Sequence, residues 1–186
     1  MSQTNLTNQF LIAMPSLKDP NFEKTVTYIC AHNEEGAMGI VINKPMGIEL
    51  GEIFNQMDIR CDLLKAKEKT VFQGGPVQID RGFILHHSGC NWDSSIAVSN
   101  NICVTTSKDI LESIANGGGP DESLIALGYA GWASGQLEQE LMDNAWLNGP
   151  ADMDIIFNTP YEQCWYAAAE HMGVDIEKLS SDIGHA

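Results

Sequence analysis

Cations are scarce in this chain: ten Lys and Arg stand against 25 Asp and Glu in 186 residues, a formal net charge of −15. The shortage is uneven, since only Arg81, Lys108 and Lys178 follow residue 70, where 16 acidic residues lie. Affinity for a duplex comes largely from clustered Lys and Arg against phosphate, so a surface this acidic repels DNA, and no nucleic-acid partner is expected. The only basic cluster, Lys65, Lys67 and Lys69 around Glu68, reads as a solvated loop or strand edge. Long apolar runs are missing too. Phe10 to Met14 and Met38 to Ile42 are strand-length, far short of the roughly 20 residues of a membrane span. The start, Met1 to Gln9, has neither a basic region nor an apolar signal core, which points to a cytoplasmic protein with no membrane partner.

The chemical motifs that announce a reaction are also absent. Five cysteines at 30, 61, 90, 103 and 164 are an odd, widely spaced set without a C-x-x-C pair. This argues against a disulfide framework or a thiolate zinc site and for reduced, buried thiols. His86 and His87 are adjacent, so on a strand their side chains leave opposite faces. No H-E-x-x-H joins them to His32, His171 or His185, and no metal site is expected. His171 is read in the last turn of a helix, where the dipole favours it. No G-x-S-x-G elbow surrounds Ser88, Ser94, Ser95, Ser123 or Ser134, and no phosphate-binding G-x-x-x-x-G-K sequence occurs. Residue chemistry alone therefore assembles no catalytic constellation and implies no cofactor.

What is present is the patterning of one globular domain over residues 1–186, with 44% hydrophobic residues. The chain is organised around Leu124 to Leu141. Leu124 to Gly128 read as a buried strand, Gly128, Gly131 and Gly135 as a turn carrying Tyr129 and Trp132, and the rest as a helix. That helix turns Leu137 and Leu141 inward and Gln136 and Glu140 outward. Upstream, 10–14 is a strand, and 24–32 with 38–43 form the clearest hairpin, with Val26, Tyr28, Cys30 and His32 on one face. Leu50, Ile53, Phe54 and Met57 mark a short amphipathic helix. Strands follow at 70–73, 82–87, 96–98 and 102–105, and Gly74-Gly75-Pro76 marks a bend or a close backbone approach. A helix places Ile110, Leu111, Ile114 and Ala115 inward, and Asn116 to Pro120 connects it to the organising strand. After a turn at Asn148-Gly149-Pro150, 153–157 reads as a strand. A last substantial helix is capped by Thr159 and ends at Gly173, with Tyr161, Cys164, Trp165, Ala168 and Met172 buried. Strands outnumber helices and come as neighbouring hairpins, which predicts an α+β fold with helices over a mixed, largely antiparallel sheet.

Four blocks carry a resemblance: FLIAMPSLKDPNFEKTVTYICAH (10–32), GAMGIVINKP (36–45), VFQGGPVQIDRGFILH (71–86) and LGYAGWASGQLEQEL (127–141). In this order, and with the terminal Gly184-His185-Ala186, they closely resemble the YqgE/AlgH family of bacterial proteins. Lys44 and Ala31 stand where many members have arginine and glutamate. The resemblance implies an α+β domain whose branching sheet forms a small barrel-like core surrounded by helices. Members often carry the label of transcriptional regulator, yet the family supplies no agreed active site to transfer.

Three readings follow. The first is a non-catalytic binding or regulatory protein acting through an unidentified protein or small-molecule partner, so that any transcriptional effect is indirect. The second is an enzyme or ligand sensor whose cleft gathers the motif residues His32, Arg81, His86, Trp132 and Gln136. For Arg81 alone, ordering the entry to its strand competes with clamping a ligand. The third, direct DNA binding, is disfavoured by charge and by the lack of a helix-turn-helix.

Overall fold

The computed structural model describes residues 5–87 and 89–183, with side chains through Leu179. The readings of residues 1–4, of Ser88 and of Gly184, His185 and Ala186 lie outside the described residues.

Gln9–Ala13 (β1), Val26–Asn33 (β2) and Gly36–Val41 (β3) form an antiparallel meander, the last two joined at Glu34-Glu35. Pro45–Glu49 (β4) leads into Leu50–Gln56 (α1), which buries Leu50, Ile53 and Phe54 at helical spacing. Leu64–Lys67 (α2), Thr70–Gln73 (β5), Val77–His87 (β6), Ser95–Ala97 (β7) and Ile102–Thr105 (β8) precede Lys108–Ala115 (α3), whose buried residues are the four expected. Ser123–Ala133 (β9), Gln136–Met142 (α4), Trp146–Pro150 (β10), Met153–Phe157 (α5), Tyr161–His171 (α6) and Ile176–Ile183 (α7) complete the chain.

The ten strands form one curled sheet in the order β10-β1-β2-β3-β9-β6-β8-β7, with β4 and β5 branching from it. All pairings are antiparallel except β5 with β9. The fold is α+β, as the sequence implies, and β9 makes the branch. Its first half runs between β5 and β6, with Ile125 opposite both Val71 and Ile84, and its second half pairs Ala130 to Ala133 with β3.

The change of partner happens at Gly128, whose φ of 79° is in the left-handed region. A Cβ there would collide with the Gly75 carbonyl, so glycine serves both the bend and the close backbone approach. The bend also shifts the side-chain alternation by one: Leu124, Ala126 and Tyr129 face one side, Ile125, Ala130 and Trp132 the other. The expected glycine turn over 128–135 is therefore wrong. The strand runs on to Ala133, and only Ser134-Gly135 turn.

Three clusters cover the two faces. On the inner face, Phe10, Tyr28, Ile40, Leu85 and Ala126 pack against Ile155, Cys164, Trp165 and Ala168 of α5 and α6, and the Trp165 indole donates to the Ala13 carbonyl at 2.8 Å. On the outer face, α1 and α3 cover Val71, Ile84 and Ile125, while α4 covers Leu11, Ile29, Ala130 and Trp132.

Other readings are corrected. The segment 153–157 is a helix, because Asp152 caps it by accepting from the Ile155 N–H at 3.1 Å, while the strand role falls to β10 beside β1. A five-residue apolar run does not separate the two possibilities. Thr159 donates to the Asp154 carbonyl and does not cap α6; Pro160 is the N-cap, Tyr161 is exposed, and Ala169 joins the buried side. Of the cluster read as loop or strand edge, Lys65 and Lys67 lie in α2, while Lys69 lies in the short connection to β5. Cys90 and Cys103 form a disulfide with Cα atoms 5.9 Å apart, against the expectation of reduced thiols throughout. The register of β6 and β8 sets Cys103 opposite His86, and the chain after β6 folds back onto it, a pairing made by strand register and invisible to motif spacing. Cys30, Cys61 and Cys164 are buried thiols.

Candidate functional site

Of the five candidate residues, His32 and Trp132 lie on the sheet face covered by α4, and Gln136 begins that helix. A β-bulge between Ile29 and Ala31 reverses the alternation of β2, so His32 leaves the face of Tyr28 and turns toward α4. There its Nδ1 accepts the Leu6 N–H at 3.0 Å, which fixes the ring proton on Nε2, and Nε2 donates to Glu138 Oε1 at 2.6 Å. That bond, ahead of a backbone hydrogen bond, holds the Glu138 carboxyl below its ordinary value. Trp132 lies on the same face, His32 and Trp132 both being opposite Ala37, and it packs against Phe22 and Trp146. Glu140, read as outward, instead accepts from the indoles of Trp132 at 3.4 Å and Trp146 at 3.2 Å. Gln136 accepts the Ala133 N–H at 2.9 Å and closes the turn into α4. Each of these groups has an intramolecular partner, and together they pin α4 to the sheet.

His86 lies elsewhere, under α3. It is fully buried, bonded through Nε2 to Thr105 Oγ1 at 2.7 Å, with its ring edge on Trp92, and Thr105 is bonded in turn to Ser95 at 2.6 Å. Burial pushes the His86 imidazolium to lower pKa. A histidine–hydroxyl chain of this kind has the parts of a proton relay, but with His86 and Thr105 both at 0% exposure no substrate reaches them. His87 faces the other way and is partly exposed. Among the described residues no three His, Cys, Asp or Glu side chains come close enough to hold a metal, and no helix is long and apolar enough to cross a membrane.

Arg81 stands apart on the inner face, where α5 and α6 leave the sheet uncovered. A concavity of about 640 Å³ opens there, lined by Ala31, Asn33, Met38, Val77, Arg81, Phe83 and Tyr129, with Glu35 also contributing. The Arg81 guanidinium lies over the Phe83 ring at 5.4 Å, and Phe83 meets Tyr129 edge-on at 5.6 Å. Its one hydrogen bond is a long one, 3.4 Å to Gln78, and it makes no ion pair among the described residues. Trp132 reaches the edge of this concavity, but its ring belongs to the opposite face. The five candidates thus do not converge on one cleft. Phe83 and Tyr129 were missed as site residues. The signal for Phe83 was its place two residues after Arg81 on one strand, which puts both on one face.

The AlgH-like family profile matches residues 10–177. Full-length similarity extends to the UPF0301 proteins of Thioalkalivibrio sulfidiphilus, 58% identical over all of this chain and 99% of that one, and of Hahella chejuensis, 54% identical over all of this chain and 98% of that one. The solution structure of the AlgH protein from Pseudomonas aeruginosa superposes with a TM-score of 0.81 at 49% identity, covering 97% of this chain and 95% of that one. A crystal structure from Corynebacterium diphtheriae shares the fold alone, at 19% identity and a TM-score of 0.75 over 97% of this chain and 94% of that one. None of these names states an activity. With a profile spanning most of the chain and relatives above half identity along its whole length, the chain belongs to the AlgH-like family.

Proposed function

We propose that this chain is a non-catalytic cytoplasmic binding protein, and that the concavity around Arg81 takes an anionic ligand group against the Phe83 and Tyr129 rings. The observation that carries this reading is an exposed guanidinium, stacked on an aromatic ring and free of any carboxylate partner among the described residues, in a chain of net charge −15. In so acidic a protein a cation held out of any ion pair disfavours negative charge less than the rest of the surface does, and Glu35 is the one carboxylate on the same lining among the described residues. Arginine with aromatic neighbours in a shallow concavity is also the residue set that dominates binding energy at interaction sites. A reaction is not supported, since no nucleophile and base stand within hydrogen-bond reach of one another in this concavity. Regulation of transcription, if the family label holds, then runs through a ligand or protein partner. For the compartment, one disulfide beside three buried thiols is sparse cross-linking compared with a disulfide-dense secreted scaffold.

A thermal-shift screen of anionic metabolites, run on the parent chain and Arg81→Gln in parallel, tests this. A ligand at about 100 times its Kd stabilises the folded state by roughly 2.7 kcal/mol, about 5–10 °C for a chain of this size. The parent should show such a shift and Arg81→Gln should lose it. Equal shifts in both proteins, or turnover of a screened compound, refute the reading.

A further inference from the structure

The basic cluster and the start of β9 meet at the far end of the sheet from Arg81, around a second concavity. Lys69 immediately precedes β5, and Ser123 opens β9. These strands run parallel with Val71 level with Ile125, so Lys69 and Ser123 lie level at one sheet end. Both residues line two cavities, one of about 720 Å³ walled by Leu63, Leu64 and Ile114, and one of about 230 Å³ that reaches Phe157 and Tyr161. Lys69 makes no ion pair among the described residues, and the Ser123 hydroxyl is buried without a hydrogen-bond partner. A buried unpaired hydroxyl beside an unpaired ammonium is an arrangement that an incoming acceptor completes.

We propose that this trough binds an amphipathic monocarboxylate, its head between the Lys69 ammonium and the Ser123 hydroxyl and its hydrocarbon body along Leu63, Leu64 and Ile114. The single negative charge follows from the local balance: Lys65 and Lys69 face Asp121 in the same cavity, a surplus of one cation. The C-terminal end of α3, at Ala115, adds partial negative charge and disfavours a dianion. The apolar body follows from Leu63 and Leu64, 44% and 65% exposed, which leave large aliphatic surface uncovered on the wall of the trough. Burial holds the Lys69 ammonium below its ordinary pKa, and a bound carboxylate would supply the counter-charge it lacks. The cavity volume lies within the range of small-molecule sites.

The test is a ¹H–¹⁵N NMR titration of the full chain with sodium octanoate, with sodium acetate as the head group alone. Octanoate should give saturable shifts confined to residues 63–70 and 114–125. Acetate should bind at least about tenfold more weakly, as should octanoate to Lys69→Gln, Ser123→Ala and Leu64→Glu. Arg81→Gln should bind octanoate like the parent. Any variant whose thermal melt shows misfolding is set aside; Leu64 is exposed, so Leu64→Glu keeps the fold and carries the test by itself. Absence of saturable shifts below about 10 mM octanoate overturns the proposal. So do shifts centred on residues 31–38, 77–83 and 129–133, or folded variants that bind within about twofold of the parent.

Discussion

Truncating His32 to alanine should expose how α4 and the N-terminal segment are held. The imidazole bridges a backbone donor, the Leu6 N–H, and the Glu138 carboxylate. Leu6 is 3% exposed, so its N–H would be left buried without an acceptor, at about 1–3 kcal/mol. The Glu138 side chain is 31% exposed and regains water when its partner goes, so that half of the bridge contributes about 0–1 kcal/mol. The lost packing of a buried ring brings the expected total to about 2–4 kcal/mol, or roughly 5–15 °C in Tm for a chain of this size. Two further variants apportion it. Asparagine places an amide oxygen near the Nδ1 position and can accept the Leu6 N–H, whereas glutamine reaches the Nε2 position and can donate only to Glu138. His32→Asn should therefore retain more stability than His32→Gln, read by urea denaturation with an unchanged m-value. A loss under about 0.5 kcal/mol for His32→Ala, or the reverse order of the two amides, would refute the assignment of the bridge.

Further outcomes follow from the same contacts. Because the hydrogen bond from His32 holds the folded Glu138 carboxyl below its ordinary value, its stabilisation is full above the ordinary carboxylate range and is lost as pH falls through the folded pKa. The stability gap between the parent and Glu138→Gln should thus be constant near neutrality and close in acid, and a gap that widens on acidification contradicts it. Reducing the Cys90–Cys103 disulfide, which closes a loop with a sequence separation of 13, should lower stability by about 3 kcal/mol in the chain-entropy account. A melt unchanged by dithiothreitol, with Cys90→Ser/Cys103→Ser as the insensitive control, would exclude that role. Gly128→Ala should lose about 2–4 kcal/mol, from left-handed strain and collision with the Gly75 carbonyl. Gly135→Ala, at φ 77° with no atom within 4 Å of the added carbon, should lose only about 1 kcal/mol. Equal losses in chemical denaturation would remove the close-approach argument. Duplex DNA should bind no tighter than the non-specific range of about 10⁻⁴–10⁻⁶ M at ~0.15 M salt. Sub-micromolar, sequence-dependent gel shifts weakened by replacing Lys65, Lys67 and Lys69 would overturn the charge argument.

The elements that periodicity could reveal were legible. The β2–β3 hairpin and the apolar faces of α1 and α3 follow from side-chain spacing, because each is decided by neighbours in sequence. The Cys90–Cys103 pair and the choice between helix and strand at 153–157 were not legible, since strand register decides the first and a single capping carboxylate the second. The site suffered from a subtler cause. Period-2 reading assigns a face to every residue of a strand, and one inserted residue reverses every assignment beyond it. Besides register shifts at 45–49 in β4 and 77–82 in β6, two irregularities act on these faces, the bulge after Ile29 in β2 and the bend at Gly128 in β9. The first moves His32 off the inner face and brings Ala31 and Asn33 onto it. The second turns the Trp132 ring outward and Tyr129 inward. Both strands frame the Arg81 concavity, so the irregularities that hid its lining from the sequence are the ones that build it. Arg81 depends on neither, because Phe83, two residues on in β6, holds its guanidinium on the inner face. It is accordingly an exposed candidate residue whose formal charge has no ionic partner among the described residues.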